Sequence, residues 1–294
     1  MMIKENIVSL VDGFTVELNP KVRHKLNSIP LDKKNNVYIT YLPDATENDI
    51  LETVDFVSKQ ELTPITHLPA RTMKDLDHVS DFLKELRNRT DSKKILVIGG
   101  GGNQNGSVSS SLEILECGLL KDNDFEEIGI AGHPEGSPDI DQNTVNEFLN
   151  KKYELSKDKN LNLELVTQFF FNAEPFIKWC KFLDNSNIKL PVRVGFPGPA
   201  SFKTLLNFGI MSGVGNSLSF LKKNSSKVTD LLTKTSNDEM FIELANFSKE
   251  QSSFKNFHCF PFGGFEKTCH WLNALQNGDF TMENDKIVLH KKIF

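Results

Sequence analysis

Four groups of residues in this chain have the types and spacing for chemistry. The segment IGIAGHPEGSP runs as short apolar β-type sequence through Ile128–Gly132 and breaks into His133, Glu135 and Ser137. A buried strand that ends in a His/Glu/Ser loop is how a parallel α/β fold presents a site. Glu17, within FTVEL, is a carboxylate among apolar neighbours. Such a group is costly to bury unless it works or is paired, and a half-buried one with a raised pKa suits a general acid. Gln168, in VTQFFF, carries a donor and an acceptor on one amide and could read a heterocycle edge; the bland alternative is a strand-end cap. The run GGGGNQNGS, with Gly99, Gly100 and Gly101 at its head, allows a ligand to approach the backbone, but it lacks the Lys-Ser/Thr of a P-loop. His67 and His133 could each be core histidines bonded to backbone. Their separate loops and the lack of an HxH or HExxH pattern argue against a metal.

Positioning these residues requires a scaffold, and the sequence supplies one. Eight β-rich runs recur at 14–18, 36–42, 62–68, 94–100, 128–132, 163–171, 190–196 and 256–262, separated by helix-like stretches such as ENDILETVDFVSKQ and MKDLDHVSDFLKELRNR. Alternating strands and helices predict a parallel sheet, and eight strands in 294 residues predict a (β/α)8 TIM barrel, one domain over 1–294. The interval 197–255 reads as extra helices between strands 7 and 8, at 200–211, 215–224, 226–235 and 238–249. The tail from Thr281 has no evident place. In such a barrel every strand end lies on one face, so Glu17, Thr40, His67, the glycines, His133, Glu135 and Gln168 are brought to a common mouth.

Composition narrows the partners. A net charge of −5 gives no electrostatic reason to expect nucleic acid or an anionic membrane. No apolar run reaches membrane-spanning length, and Cys117, Cys180, Cys259 and Cys269 form no CxxC pair, so a cytoplasmic protein with reduced thiols is expected.

With AGHPEGSP followed by VTQFFF, TVELNP near the start, THLPAR on the third strand and FHCFPFGG on the eighth, the chain resembles the methylenetetrahydrofolate reductases from about Phe14 to Leu275. The resemblance implies a TIM barrel with FAD at the C-terminal face, in an oligomer, within one-carbon metabolism and methionine biosynthesis. It implies hydride transfer from NAD(P)H through the flavin to 5,10-methylenetetrahydrofolate, giving 5-methyltetrahydrofolate. It places Glu17 as the general acid and Gln168 as the pterin reader, with Phe202 packing near folate or nicotinamide. Thr40, His67, Gly99, Gly100, Gly101, His133, Glu135 and Ser137 then line the flavin, and Asn150, Lys151 and Lys152 stand near its phosphates. The sequence departs from the family pattern at Gly100 or Gly101, where many members carry aspartate, and at His133 and Ser137, which replace tyrosine and histidine; Glu135 and Asp139 are the nearby acids. These departures keep two alternatives open: a flavin-independent reductase with direct hydride transfer, and a catalytically silent folate-binding subunit.

Overall fold

The apolar runs assemble as eight parallel strands that pair in chain order and close on themselves: β1 (Thr15–Leu18), β2 (Asn36–Ile39), β3 (Thr63–Pro69), β4 (Lys94–Ile98), β5 (Glu127–Gly132), β6 (Leu163–Thr167), β7 (Val192–Pro197) and β8 (Phe254–Phe260). The structure is a computed structural model that describes residues 2–101, 103–138, 140–214, 238–251, 253–284 and 286–291. The fold is therefore the expected (β/α)8 barrel.

Side-chain alternation along each strand sorts residues into two layers. Val16, Leu18, Val37, Ile39, Val97, Ile130, Leu165 and Val194 belong to the large core between sheet and helices. Tyr38, Ile65, Leu96 and Val166 form a separate cluster inside the barrel. Gly129 is required there, because a Cβ on it would stand 2.9 Å from the Leu96 side chain. Helices α1 (Met2–Val11), α2 (Glu47–Lys59), α3 (Leu76–Arg89), α4 (Ser111–Glu116), α5 (Leu119–Asp122), α6 (Gln142–Lys159), α7 (Ala173–Asn185) and α8 (Phe202–Met211) are followed by helices Asp238–Phe247 and Phe265–Gln276. Their starts are written locally. Thr46 and Asp49 make a reciprocal capping box on α2, and Asp75, Ser110, Asp141, Asn172 and Ser201 cap α3, α4, α6, α7 and α8.

The strand boundaries shift from the sequence expectation, β7 and β8 by up to two residues (Val192–Pro197 and Phe254–Phe260). β2 stops at Ile39 and β4 at Ile98, before the polar ends that the apolar runs had absorbed. β6 stops at Thr167, because the Gln168 side-chain oxygen accepts from the Phe169 amide (3.1 Å) and turns the chain out of the sheet. Of the extra helices, those at 200–211 and 238–249 are found as Phe202–Met211 and Asp238–Phe247; those at 215–224 and 226–235 lie outside the described residues. The tail is an antiparallel hairpin, Phe280–Glu283 with Lys286–Leu289, tied to the body by Lys4 Nζ donating to the Phe280 carbonyl (2.7 Å) and by the Ile287 amide donating to Asp238 (3.1 Å). Cys180, Cys259 and Cys269 are buried free thiols, and burial pushes Cys180 up to about 12, which leaves it unreactive.

Candidate active site at the barrel mouth

The interior carries a buried ion-pair network at one end and a Glu–His cluster at the other, with an aromatic layer between. At the bottom, Arg193 on β7 donates from Nε to Glu164 on β6 (2.7 Å) and from Nη1 to Asn256 on β8 (2.8 Å). Lys255 adds a second ion pair to Glu164 (2.8 Å), and Asn256 donates to the Gly13 carbonyl (2.6 Å). Burial alone would raise Glu164, but Arg193 and Lys255 outweigh it and hold the carboxyl below its ordinary value. The Tyr38 hydroxyl donates to this carboxylate (3.2 Å), and burial keeps it far above the usual tyrosine range.

Above this layer the Tyr38 ring meets two imidazoles edge-on, His258 with centroids 4.5 Å apart and His67 at 6.2 Å. Both reach the Glu17 carboxylate, His258 through Nε2 at 3.5 Å and His67 through Nε2 at 3.6 Å. Barrel order explains the meeting: β8 and β2 flank β1, and β3 follows β2, so inward residues at one level come together from both sides. The His258 Nδ1 lies 2.8 Å from the Thr15 hydroxyl, which also approaches the Phe257 carbonyl at 3.4 Å.

This arrangement can hold Glu17 in either protonation state. If Thr15 gives its hydrogen to the Phe257 carbonyl, Nδ1–H donates to Thr15, and Nε2 is left as an acceptor for a protonated Glu17. If Thr15 turns its hydrogen to Nδ1, Nε2–H donates to the carboxylate. His67 adds no positive charge at neutral pH: burial lowers it to about 4, with Glu17 opposing and His258 reinforcing the shift. Its Nε2 is buried and has no hydrogen-bond partner among the described residues, so it is an acceptor or donor facing the same carboxylate. Among the described residues no group of three His, Cys, Asp or Glu side chains could hold a metal ion.

The remaining expected site residues ring this centre at the C-terminal strand ends. Thr40 is buried, its hydroxyl donating to the Leu18 carbonyl (3.3 Å). Gln168 is half-buried with its carbonyl end engaged by Phe169, so only the amide nitrogen end is uncommitted. Thr167 and Gln168 can crowd β7 only because position 195 is glycine; a Cβ there would lie 2.3 Å from the Thr167 carbonyl. Phe202, at the start of α8, packs on an aromatic cap that contains Phe169, Phe171, Phe208, Phe260 and Phe262. Phe260 carries that cap to within 5.0 Å of the His258 ring.

On the opposite side, Gly99 and Gly101 face open space, whereas Gly100 has φ +84° and its hydrogen points at Pro69. The β5 loop turns at His133, whose carbonyl accepts from Gly136. Glu135 and Ser137 are half-buried in the same loop, while Asp139 lies outside the described residues. Burial, and then the charge of Lys152, lowers His133 to about 4; burial alone lowers Lys152 to about 8. Asn150 and Lys151, by contrast, are exposed, with Lys151 paired to Glu147 on the helix surface. The site therefore draws on His258, Thr15 and Tyr38, which the sequence reading did not single out. Their signal was parity: Thr15 and Glu17, and Asn256, His258 and Phe260, are polar or aromatic residues at every second position of apolar strands.

No family model matches the sequence. Among solved structures the chain is similar to an uncharacterized protein from Clostridium thermocellum that binds two copies of 5-methyl-5,6,7,8-tetrahydrofolic acid, at TM-score 0.55 and 15% identity, over 90% of this chain and 93% of that one. It aligns more loosely with the 7,8-dihydropteroate synthase of Vibrio fischeri ES114, at TM-score 0.45 and 10% identity over 90% of this chain and 92% of that one. At these identities the likeness shows the shared barrel.

Proposed function

We propose that the chain is a folate-binding barrel enzyme that interconverts 5,10-methylenetetrahydrofolate and 5-methyltetrahydrofolate, with Glu17 as the general acid. The observation that carries this reading is Glu17 itself: an acid at the mouth, flanked by a neutral His67 and a His258 whose tautomer can follow its protonation. The likeness to a folate-binding chain of the same fold adds support. Opening the imidazolidine ring needs a proton on nitrogen, which leaves a 5-iminium carbon to accept hydride. Glu17 supplies that proton to the substrate nitrogen, and His258 in its Nε2–H tautomer can donate to the carboxylate that is left. Gln168 and the aromatic cap around Phe202 hold the flat pterin and aryl groups over the centre.

FAD fits the other half of the mouth by two observations. Lys152 is an amine that burial has pushed to about 8, whose charge is felt by His133 and which forms no ion pair among the described residues, and this suits an anionic phosphate. Gly99 and Gly101, which follow the adjacent strand β4, face open space that a bulky group could use. Lys152, His133 and the glycine backbone would hold the cofactor, with Thr40, His67, Glu135 and Ser137 around it. A bound FAD would supply the hydride, taken in turn from NAD(P)H.

A second reading is favoured by the glycines themselves. Where Gly99–Gly101 place no carboxylate near the reacting ring, folate binding without flavin chemistry, or hydride transfer directly from a nicotinamide, becomes the simpler use of the same mouth. Purified protein distinguishes the readings. A yellow protein bleached by NADH or NADPH and reoxidised by methylenetetrahydrofolate supports the first. A colourless protein that FAD does not reconstitute removes it, and turnover of folate by that protein selects direct transfer. Failure to bind 5-methyltetrahydrofolate in calorimetry removes all three.

A further inference from the structure

We propose that His78, outside the barrel, positions the loop after β4 at the mouth, and that it does so only while its ring carries a single proton. The loop has few side chains to hold it, and its anchorage is the segment that follows β3. The Arg71 amide donates to the Gly99 carbonyl (3.0 Å), and the Asn105 amide returns a bond to the Arg71 carbonyl (2.8 Å). Asn105 also donates from Nδ2 to the Thr72 carbonyl (3.1 Å). Ser107 then donates twice to the Lys74 carbonyl, from its amide (2.7 Å) and its hydroxyl (3.2 Å). Gly106 lies flat on the same peptide: a Cβ there would stand 2.0 Å from the Lys74 oxygen, so no other residue fits.

Lys74 is thus the buckle of the strap, and its other backbone group belongs to His78. The Lys74 amide donates to His78 Nδ1 (3.1 Å), which fixes the tautomer, so Nε2 carries the hydrogen and donates it to Glu47 at the start of α2. Asp75 caps α3 by accepting from the His78 amide (2.8 Å), which holds the ring's backbone in place. A second proton on the ring converts Nδ1 from acceptor to donor and sets two N–H groups against each other. The charged ring keeps Glu47, so what is lost is the Lys74 bond and, through it, the loop. The charged and titratable groups facing the ring are Glu47 from α2, Asp75 at the head of α3 and, behind Glu47, Tyr41 beyond β2. Tyr41 stays neutral because burial, and then Glu47, pushes it up to about 12.

The test is amide exchange of Asn105 and Ser107 in the full chain, corrected for intrinsic rates, at about pH 7.5 and about pH 5.5, the range in which imidazoles gain their second proton. The wild-type protein should lose about tenfold protection at the lower pH, as expected for local opening. His78→Asn places an amide oxygen near the Nδ1 position, so protection should be retained at both pH values. His78→Gln reaches Glu47 but not the Lys74 amide, so protection should be low at both. A wild-type loop indifferent to pH, a His78→Asn variant as pH-sensitive as wild type, or a His78→Gln variant with full protection would each overturn the proposal. The exchange readout does not depend on the ligand, so failure to bind a folate would remove the functional reading and leave this result standing.

Discussion

His258 stands between Thr15 and Glu17, with Nδ1 2.8 Å from the hydroxyl of one and Nε2 3.5 Å from the carboxylate of the other. The Thr15 hydroxyl can therefore partner either neutral tautomer of His258, so the imidazole can offer Glu17 a lone pair or, once the ring proton has moved from Nδ1 to Nε2, a hydrogen. Glu17→Gln keeps the shape and removes the proton. Folate turnover should fall by about 10²- to 10⁴-fold while 5-methyltetrahydrofolate binds within a few-fold of wild type. Stopped-flow measurement of the two half-reactions checks this, since reduction by the nicotinamide should be spared. Equal loss in both would refute the acid assignment.

A buried and a half-buried histidine should make the fold acid-sensitive. His67 and His133 are each lowered to about 4, so the folded chain keeps them neutral where the unfolded chain takes up protons. Stability should be full above the unfolded value near 6.5 and fall as pH drops from there toward about 4, by at most about 3 kcal/mol for each. Urea denaturation across that window should show the loss, and His133→Gln should remove about half of it.

Lys152 works in the opposite range. Its folded value of about 8 lies below that of the unfolded chain, so stability should rise with pH between about 8 and the ordinary lysine value. Its charge is what an anionic ligand needs, so FAD or inorganic pyrophosphate should bind more weakly as pH passes above about 8. Calorimetry with wild type and Lys152→Met decides it: the variant should bind weakly at every pH.

The two central glycines of the β4 loop should respond differently to a carboxylate. Gly101→Asp projects into open space and should cost under about 0.5 kcal/mol, an ordinary surface change. Gly100→Asp forces a side chain onto a φ of +84° with Pro69 at 2.9 Å, and should cost about 1–3 kcal/mol. Thermal unfolding of the pair tests this, and greater folate turnover by Gly101→Asp would show that the missing acid limits the chemistry.

Beneath the mouth, Arg193→Met should destabilise by about 3–5 kcal/mol, because Glu164 is left buried with only Lys255 to balance it. Adding Glu164→Gln should recover part of that loss. A single-variant cost below about 1 kcal/mol in urea would mean that the pair is dispensable.

The sequence by itself determined the barrel and most of its mouth. Eight apolar runs of strand length alternate with amphipathic helices, and such a chain buries both faces of its strands only as a covered parallel sheet. That sheet gathers Glu17, Thr40, His67, His133 and Gln168 at one end, whatever the contacts between them. Tertiary structure decided which of them meet. His258 sits 241 residues from Glu17 and reaches it only because β8 closes on β1. Strand pairing also placed Arg193 under Tyr38, and a side-chain bond from Gln168 to its own chain ended β6 early. Periodicity reports the face a residue takes. The neighbour it finds across a closed barrel is set by register and closure, and these are properties of all eight strands together.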